Sequence, residues 1–153
     1  MSEVPLYKDK VFFDAGGRTS YSNWMLQRMK DYNLRNSLAT FYDLNGSLHA
    51  LLPKGRISIS GYTSFDEFKF ASEVKYKYGS TLGSLNWSYP ISSNLGSYLS
   101  ISYSKYNVEK EDISTNLMQS LTESEIAYKG LKYRVKFGGI NRHTLDAGFS
   151  LVK

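Results

Sequence analysis

Apolar and polar residues alternate along nearly the whole of this chain, and the breaks between the alternating runs are long and short in turn. In 10–18, Val11, Phe13 and Ala15 share one parity, and Phe12, Asp14, Gly16 and Arg18 share the other. In 41–52, Tyr42, Leu44, Gly46, Leu48, Ala50 and Leu52 oppose Asp43, Asn45, Ser47 and His49. The same alternation recurs in 56–64, in 74–91, in 95–105, in 131–137 and in 143–152. A period of two puts successive side chains on opposite faces of a strand. The chain therefore reads as about seven strands, each with one apolar and one polar side. The long breaks fall at 19–37, 65–71 and 108–120, and the tight ones at Pro53-Lys54-Gly55, Ser92-Ser93-Asn94 and 138–141. Alternating break lengths put tight turns on one edge of a sheet and long loops on the other. The expected fold is all-β, an antiparallel up-and-down meander.

Short turns at one rim and long loops at the other are the pattern of an outer-membrane β-barrel. Strand length points the same way. The runs 42–52 and 74–89 exceed the usual five or six residues of soluble strands, and suit tilted membrane strands of about 9–11 residues with extensions. The polar side is built of Ser, Asn, Asp, Lys and Arg, without the aliphatic residues that fill a sandwich core. A flat sheet of seven strands leaves two edges, and edges are not tolerated in lipid because their amides lack partners. The chain thus reads as one arc of a larger barrel. Its polar start, Met1-Ser2-Glu3-Val4-Pro5, lacks the apolar stretch of a signal peptide, so an outer-membrane location implies a processed or excised piece.

Composition bounds the alternatives. Aromatic residues make up 15% of the chain, with 13 Tyr, which suits interfacial girdles. A mean hydropathy of −0.39 fits a soluble domain or a barrel in which only alternate residues meet lipid. No run approaches the roughly 20 apolar residues of a membrane helix. There is no cysteine, which excludes disulfides, thiolate metal sites and a cysteine nucleophile. The net charge of +5 is scattered, with no basic helix or aromatic–basic motif, so nucleic acid is not an expected partner.

Chemistry-bearing constellations are sparse. His49 falls on a polar strand face and His143 beside a turn, neither with a partner at ligand spacing. Asp43 and His49 share a face but stand six residues apart, so a catalytic partner would have to come from another strand. No catalytic residue, metal site or cofactor is expected. Glu109, Glu111 and Asp112 cluster in a predicted external loop, where the sharp reading is Ca²⁺ and the bland one a solvated tip. In the first long loop, 22–29 reads as a short amphipathic helix capped by Ser22. Trp24, Met25 and Arg28, with Tyr21 just before, are the candidate ligand contacts there; packing within the loop is the plainer reading. Lys132, Arg134 and Lys136 form a basic row on a polar face, with Asp146 as a neighbour-strand partner.

Several segments resemble TonB-dependent outer-membrane receptors. Gly16-Gly17-Arg18-Thr19-Ser20-Tyr21-Ser22-Asn23-Trp24 is similar to the strand end that enters an external loop. Phe41-Tyr42-Asp43-Leu44-Asn45-Gly46-Ser47-Leu48 resembles the strand that returns from it. The run Arg56 to Phe70, then Leu82-Gly83-Ser84-Leu85-Asn86-Trp87, then Ser102-Tyr103-Ser104-Lys105-Tyr106, resemble the next strands in order. The resemblance implies a 22-stranded barrel occluded by a plug domain, in the outer membrane of a gram-negative bacterium, importing a scarce nutrient such as an iron chelate, vitamin, glycan or peptide. It implies as partners the remaining barrel and plug, the TonB complex reached through the plug, a surface lipoprotein, and lipid or lipopolysaccharide. It would make Asp43, His49, Lys132, Arg134, Lys136 and Asp146 lumen or plug contacts. The quoted motifs match the first half of such a barrel.

Two other classes fit parts of the pattern. A soluble antiparallel β-sheet binding domain accounts for the modest hydropathy. A small outer-membrane adhesin or enzyme barrel would need an even strand count and an aromatic closing strand.

Overall fold

The computed structural model describes residues 2–7, 10–20, 22–71, 74–112, 120–140 and 143–153. They form one antiparallel sheet in sequence order, with no crossover: β1 (Ser2–Tyr7), β2 (Val11–Thr19), β3 (Leu38–Leu51), β4 (Arg56–Phe70), β5 (Val74–Pro90), β6 (Leu95–Asp112), β7 (Ser120–Ile140) and β8 (His143–Val152). Two short helices, α1 (Ser22–Leu26) and α2 (Tyr32–Arg35), lie between β2 and β3. The seven expected strands all form, and β1 precedes them. Among the described residues β1 and β8 do not pair, so the meander stays an open arc.

Two of the expected loops are corrected. Residues 65–70 belong to β4, and 108–112 belong to β6. Both segments pair in unbroken register with the next strand: Phe65 opposite Gly79 down to Phe70 opposite Val74, and Val108 opposite Ser124 up to Asp112 opposite Ser120. The strands run past the point where the apolar alternation stops, because ladder hydrogen bonds do not require a sided surface. The expected helix over 22–29 is also shorter. Ser22 does not cap it; its hydroxyl donates to the Ala39 carbonyl at 2.5 Å. The second helix is capped by Asp31, whose Oδ1 accepts from the amides of Asn33 and Leu34.

The tight turn after β3 has a local cause. Gly55 sits at φ +105°, and a Cβ there would lie 2.1 Å from the Ser88 carbonyl oxygen. Only glycine fits such a left-handed, crowded position. The β4–β5 turn instead carries Ala71 at φ 48°, its amide held by the Ser37 hydroxyl at 3.2 Å.

The sheet has no second layer. No hydrophobic residue is fully buried among those described, and the solvent-accessible area is 11391 Å². A compact protein of 17.4 kDa exposes about 7,900 Å². The surplus, roughly 3,500 Å², is surface that a closed fold would cover.

Candidate functional site

Register decides which residues share a face, because directly paired residues point the same way. One face carries a continuous apolar belt. Its rows run Phe13, Leu48, Ile59, Leu85, Ile101, Leu131, Leu151 and Val11, Ala50, Ile57, Trp87, Leu99, Tyr133, Phe149 across β2 to β8. From Tyr42 to Ala50, from Ile57 to Phe65 and from Leu95 to Tyr103 this face holds no charged residue. Each stretch covers eight residue steps, about 26 Å along the strand. At the 35–45° tilt of membrane strands that becomes roughly 20 Å of height, near the ~25 Å apolar band of outer-membrane barrels. Aromatic pairs flank the belt: Tyr42 on Phe65 at 5.7 Å toward the loop edge, and Trp87 by Tyr89 at 5.8 Å and Tyr133 by Phe149 at 6.0 Å toward the turn edge.

Above the belt the two faces exchange character. The formerly apolar face becomes charged, with Glu67 bridged to Lys75 at 2.6 Å, Lys77 to Glu109 at 2.5 Å and Lys105 to Glu125 at 3.0 Å. The opposite face gains aromatic and aliphatic residues at the same height, Phe68, Phe70, Tyr76, Tyr78, Val108 and Ile126, beside the charged Asp66, Lys110 and Asp112. The boundary is also stepped. The first charge on the belt face is Glu67 on β4 and Lys77 on β5, directly paired; it is Lys105 on β6, two same-face positions lower, and Lys129 on β7, one lower again. A flat plane cutting tilted strands produces such a staircase.

The polar face of the belt region is a wall of hydroxyls and amides. Ser47, Ser60, Ser84 and Ser102 form one row across four strands, with Ser60 and Ser84 hydroxyls 2.7 Å apart. Asn86 Oδ1 accepts from Tyr98 at 3.0 Å and from Ser100 at 2.8 Å. A shallow groove of about 430 Å³ follows the serine row, with Asn45, Tyr62, Leu82 and Tyr128 among its lining.

The polar-face candidates are distributed along this wall. Asp43 accepts from Arg18 Nε, whose guanidinium also lies over the Phe41 ring. His49 gains partners that the sequence order hid: Asp14 Oδ2 is 3.5 Å from Nε2, Ser58 Oγ is 2.9 Å from Nδ1, and Arg56 approaches at 3.4 Å. Asp14, His49 and Ser58 stand in the order of an acyl-transfer triad. Ser58 lies on β4, paired on both edges, so the local backbone amides are committed to the ladders with His49 and Asn86 and supply no oxyanion donors. The cluster is accordingly read as a satisfied polar knot.

Lys132, Arg134 and Lys136 line the same face of β7. Arg134 lies over the Tyr98 ring at 5.4 Å and 3.8 Å from Asp146, which pairs in register with Lys136. Four strand spacings, about 19 Å, separate this row from His49, so the two groups do not form one site. The acidic cluster comes apart: Glu109 and Glu111 point to the belt face and Asp112 to the other, all within β6. Among the described residues no three His, Asp or Glu side chains gather as a metal site.

In the first loop Trp24 and Met25 are exposed on α1, and the Arg28 guanidinium lies 5.1 Å from the Trp24 ring centre. Tyr21 lies outside the described residues. The Lys77–Glu109 and Lys105–Glu125 ion pairs and the Asp14–His49–Ser58 knot were not anticipated. Each joins residues far apart in sequence, and the register that joins them is not written in any single strand.

Comparison with known proteins gave no match: no family model, no curated protein and no solved structure is significantly similar to the chain.

Proposed function

We propose that this chain is a wall segment of an outer-membrane β-barrel, and that it serves a TonB-dependent transporter taking up a scarce nutrient. The observation that carries the membrane reading is the exchange of face character at one height. A soluble sheet resting on a core keeps the same side apolar along a strand. A strand leaving lipid for water loses its apolar outer side, because that face trades acyl chains for solvent. The exposed area supports the same reading, since a single layer with no fully buried hydrophobic residue among those described needs an apolar medium on its belt face. The hydroxyl wall then lines the lumen, and the open edges of β1 and β8 are where further barrel strands join. The transporter assignment rests on the ordered sequence resemblance; the substrate class stays open among the expected nutrients.

The test is folding with and without an amphiphile, followed by size-exclusion chromatography and far-UV circular dichroism. The expected result is aggregation in plain buffer and β-structure in detergent or with a complementary barrel fragment. A folded, β-rich monomer in plain buffer would instead favour the soluble binding domain.

A further inference from the structure

We propose that the first external loop is a membrane-surface anchor: α1 lies against the headgroup layer of the outer leaflet, with Trp24 as its interfacial aromatic and Arg28 reaching the phosphates. The inference rests on the membrane reading above and goes beyond it.

The placement comes from Asn23. Its Oδ1 accepts from the Ala39 amide at 2.9 Å, and its Nδ2 donates to Thr40 Oγ1 at 2.6 Å. Thr40 pairs with Glu67, so its side chain is on the belt face, one same-face position above Tyr42. The Ser22 hydroxyl fixes the same spot through the Ala39 carbonyl. Thus α1 is tied to the edge of β3 at the level where the apolar belt ends, with its Asn23–Thr40 bond on the belt face. There it presents Trp24, 56% exposed, with Met25 and Met29 also exposed; on β3, Tyr42 and Leu44 of the belt face are exposed too.

The chemistry fits an anionic lipid surface. Across 20–37 the loop carries Arg28, Lys30 and Arg35 against one acid, Asp31. Arg28 over the Trp24 ring, and Arg35 over the Tyr32 ring at 5.9 Å, pair an apolar ring with a cation. Such amphipathic pairs favour the interface, where the ring meets acyl carbon and the cation meets phosphate. Below Thr40 on the same face of β3 come the exposed apolar belt residues Tyr42 and Leu44.

The chain has two tryptophans, Trp24 and Trp87, and each reports on a different claim. The full chain would be folded into vesicles of phosphatidylcholine and phosphatidylglycerol carrying bromine at shallow or deep acyl positions. In Trp87→Phe, Trp24 emission is expected to be blue-shifted, quenched more by shallow than by deep bromines, and shielded from aqueous iodide. In Trp24→Phe, Trp87 is expected to be quenched by bromolipid and untouched by iodide. Charge reversal in Arg28→Glu/Lys30→Glu should weaken the quenching of Trp24 while leaving Trp87 unchanged, with circular dichroism confirming the fold. Iodide quenching of Trp24 without bromolipid quenching, while Trp87 remains quenched by bromolipid, would overturn the anchor and leave the barrel standing. Loss of bromolipid quenching at Trp87 as well would overturn both.

Discussion

Lys77 Nζ meets Glu109 Oε1 at 2.5 Å across β5 and β6, and eight residues down the same two strands, on the same face, Leu85 is paired with Ile101. Those steps, about 26 Å at the usual rise, take one face from an ion pair to a charge-free apolar row. On the opposite face the sequence goes from Tyr78 and Val108 to Ser84 and Ser102. The two changes fall at the same height on the two faces.

Position within the belt sets the cost of a charge. Leu85→Lys is expected to destabilise the folded protein in lipid by about 2–4 kcal/mol, whereas Lys77→Leu, which breaks a part-exposed pair above the belt, costs less than about 1 kcal/mol. Unfolding by urea in vesicles measures both. A larger loss for Lys77→Leu would contradict the assigned boundary.

The two sides of β3 should respond differently. Leu48→Arg on the belt face is expected to cost about 2–4 kcal/mol, and Ser47→Arg, next to it on the hydroxyl wall, clearly less. Equal losses in the same unfolding assay would argue against a division into lipid side and lumen side.

The β3–β4 turn depends on its glycine. Gly55→Ala forces a Cβ toward the Ser88 carbonyl in a left-handed conformation, so a loss of more than about 1 kcal/mol is expected. Wild-type stability in Gly55→Ala would mean the turn adopts another conformation.

The opposite substitution should help at the β4–β5 turn. Ala71 holds φ 48°, a conformation that costs a non-glycine residue about 1–2 kcal/mol, while glycine adds roughly 0.5–1 kcal/mol of unfolded-state entropy. Ala71→Gly should therefore stabilise by up to about 1 kcal/mol, read as a raised urea midpoint. A lowered midpoint would show that the alanine methyl makes a compensating contact.

The belt was legible in the sequence and the strand extensions were not, for one physical reason. Within 42–52 and 95–103 one parity is mainly apolar and the other mainly polar, so the period of two can be read. Above the belt each face mixes apolar and polar residues, as Leu121 with Glu123 on one face of β7 and Thr122 with Ile126 on the other, so neither parity reads as apolar. The extensions 65–70, 108–112 and the first half of β7 were therefore missed as strands. The basic row and its partner Asp146 could be read because they lie on neighbouring strands joined by a tight turn. The Asp14–His49–Ser58 knot could not, because it draws on three strands whose register is set by the assembled sheet. Tyr21, Trp24, Met25 and Arg28 could be singled out from the sequence as loop residues, but the stacking of Arg28 on Trp24 and the tie from Asn23 to Thr40 could not.

The central claim is that one face of the belt meets lipid and the other meets water. Because the chain has no cysteine, a single spin label can be placed in turn at each position from 80 to 89 on β5 and its collisions with oxygen and with a water-soluble nickel chelate recorded in vesicles. The account predicts a period of two, with Thr81, Gly83, Leu85, Trp87 and Tyr89 high for oxygen, and Ser80, Leu82, Ser84, Asn86 and Ser88 high for the chelate. High chelate collision at Leu85 and Trp87 in the folded protein would contradict it.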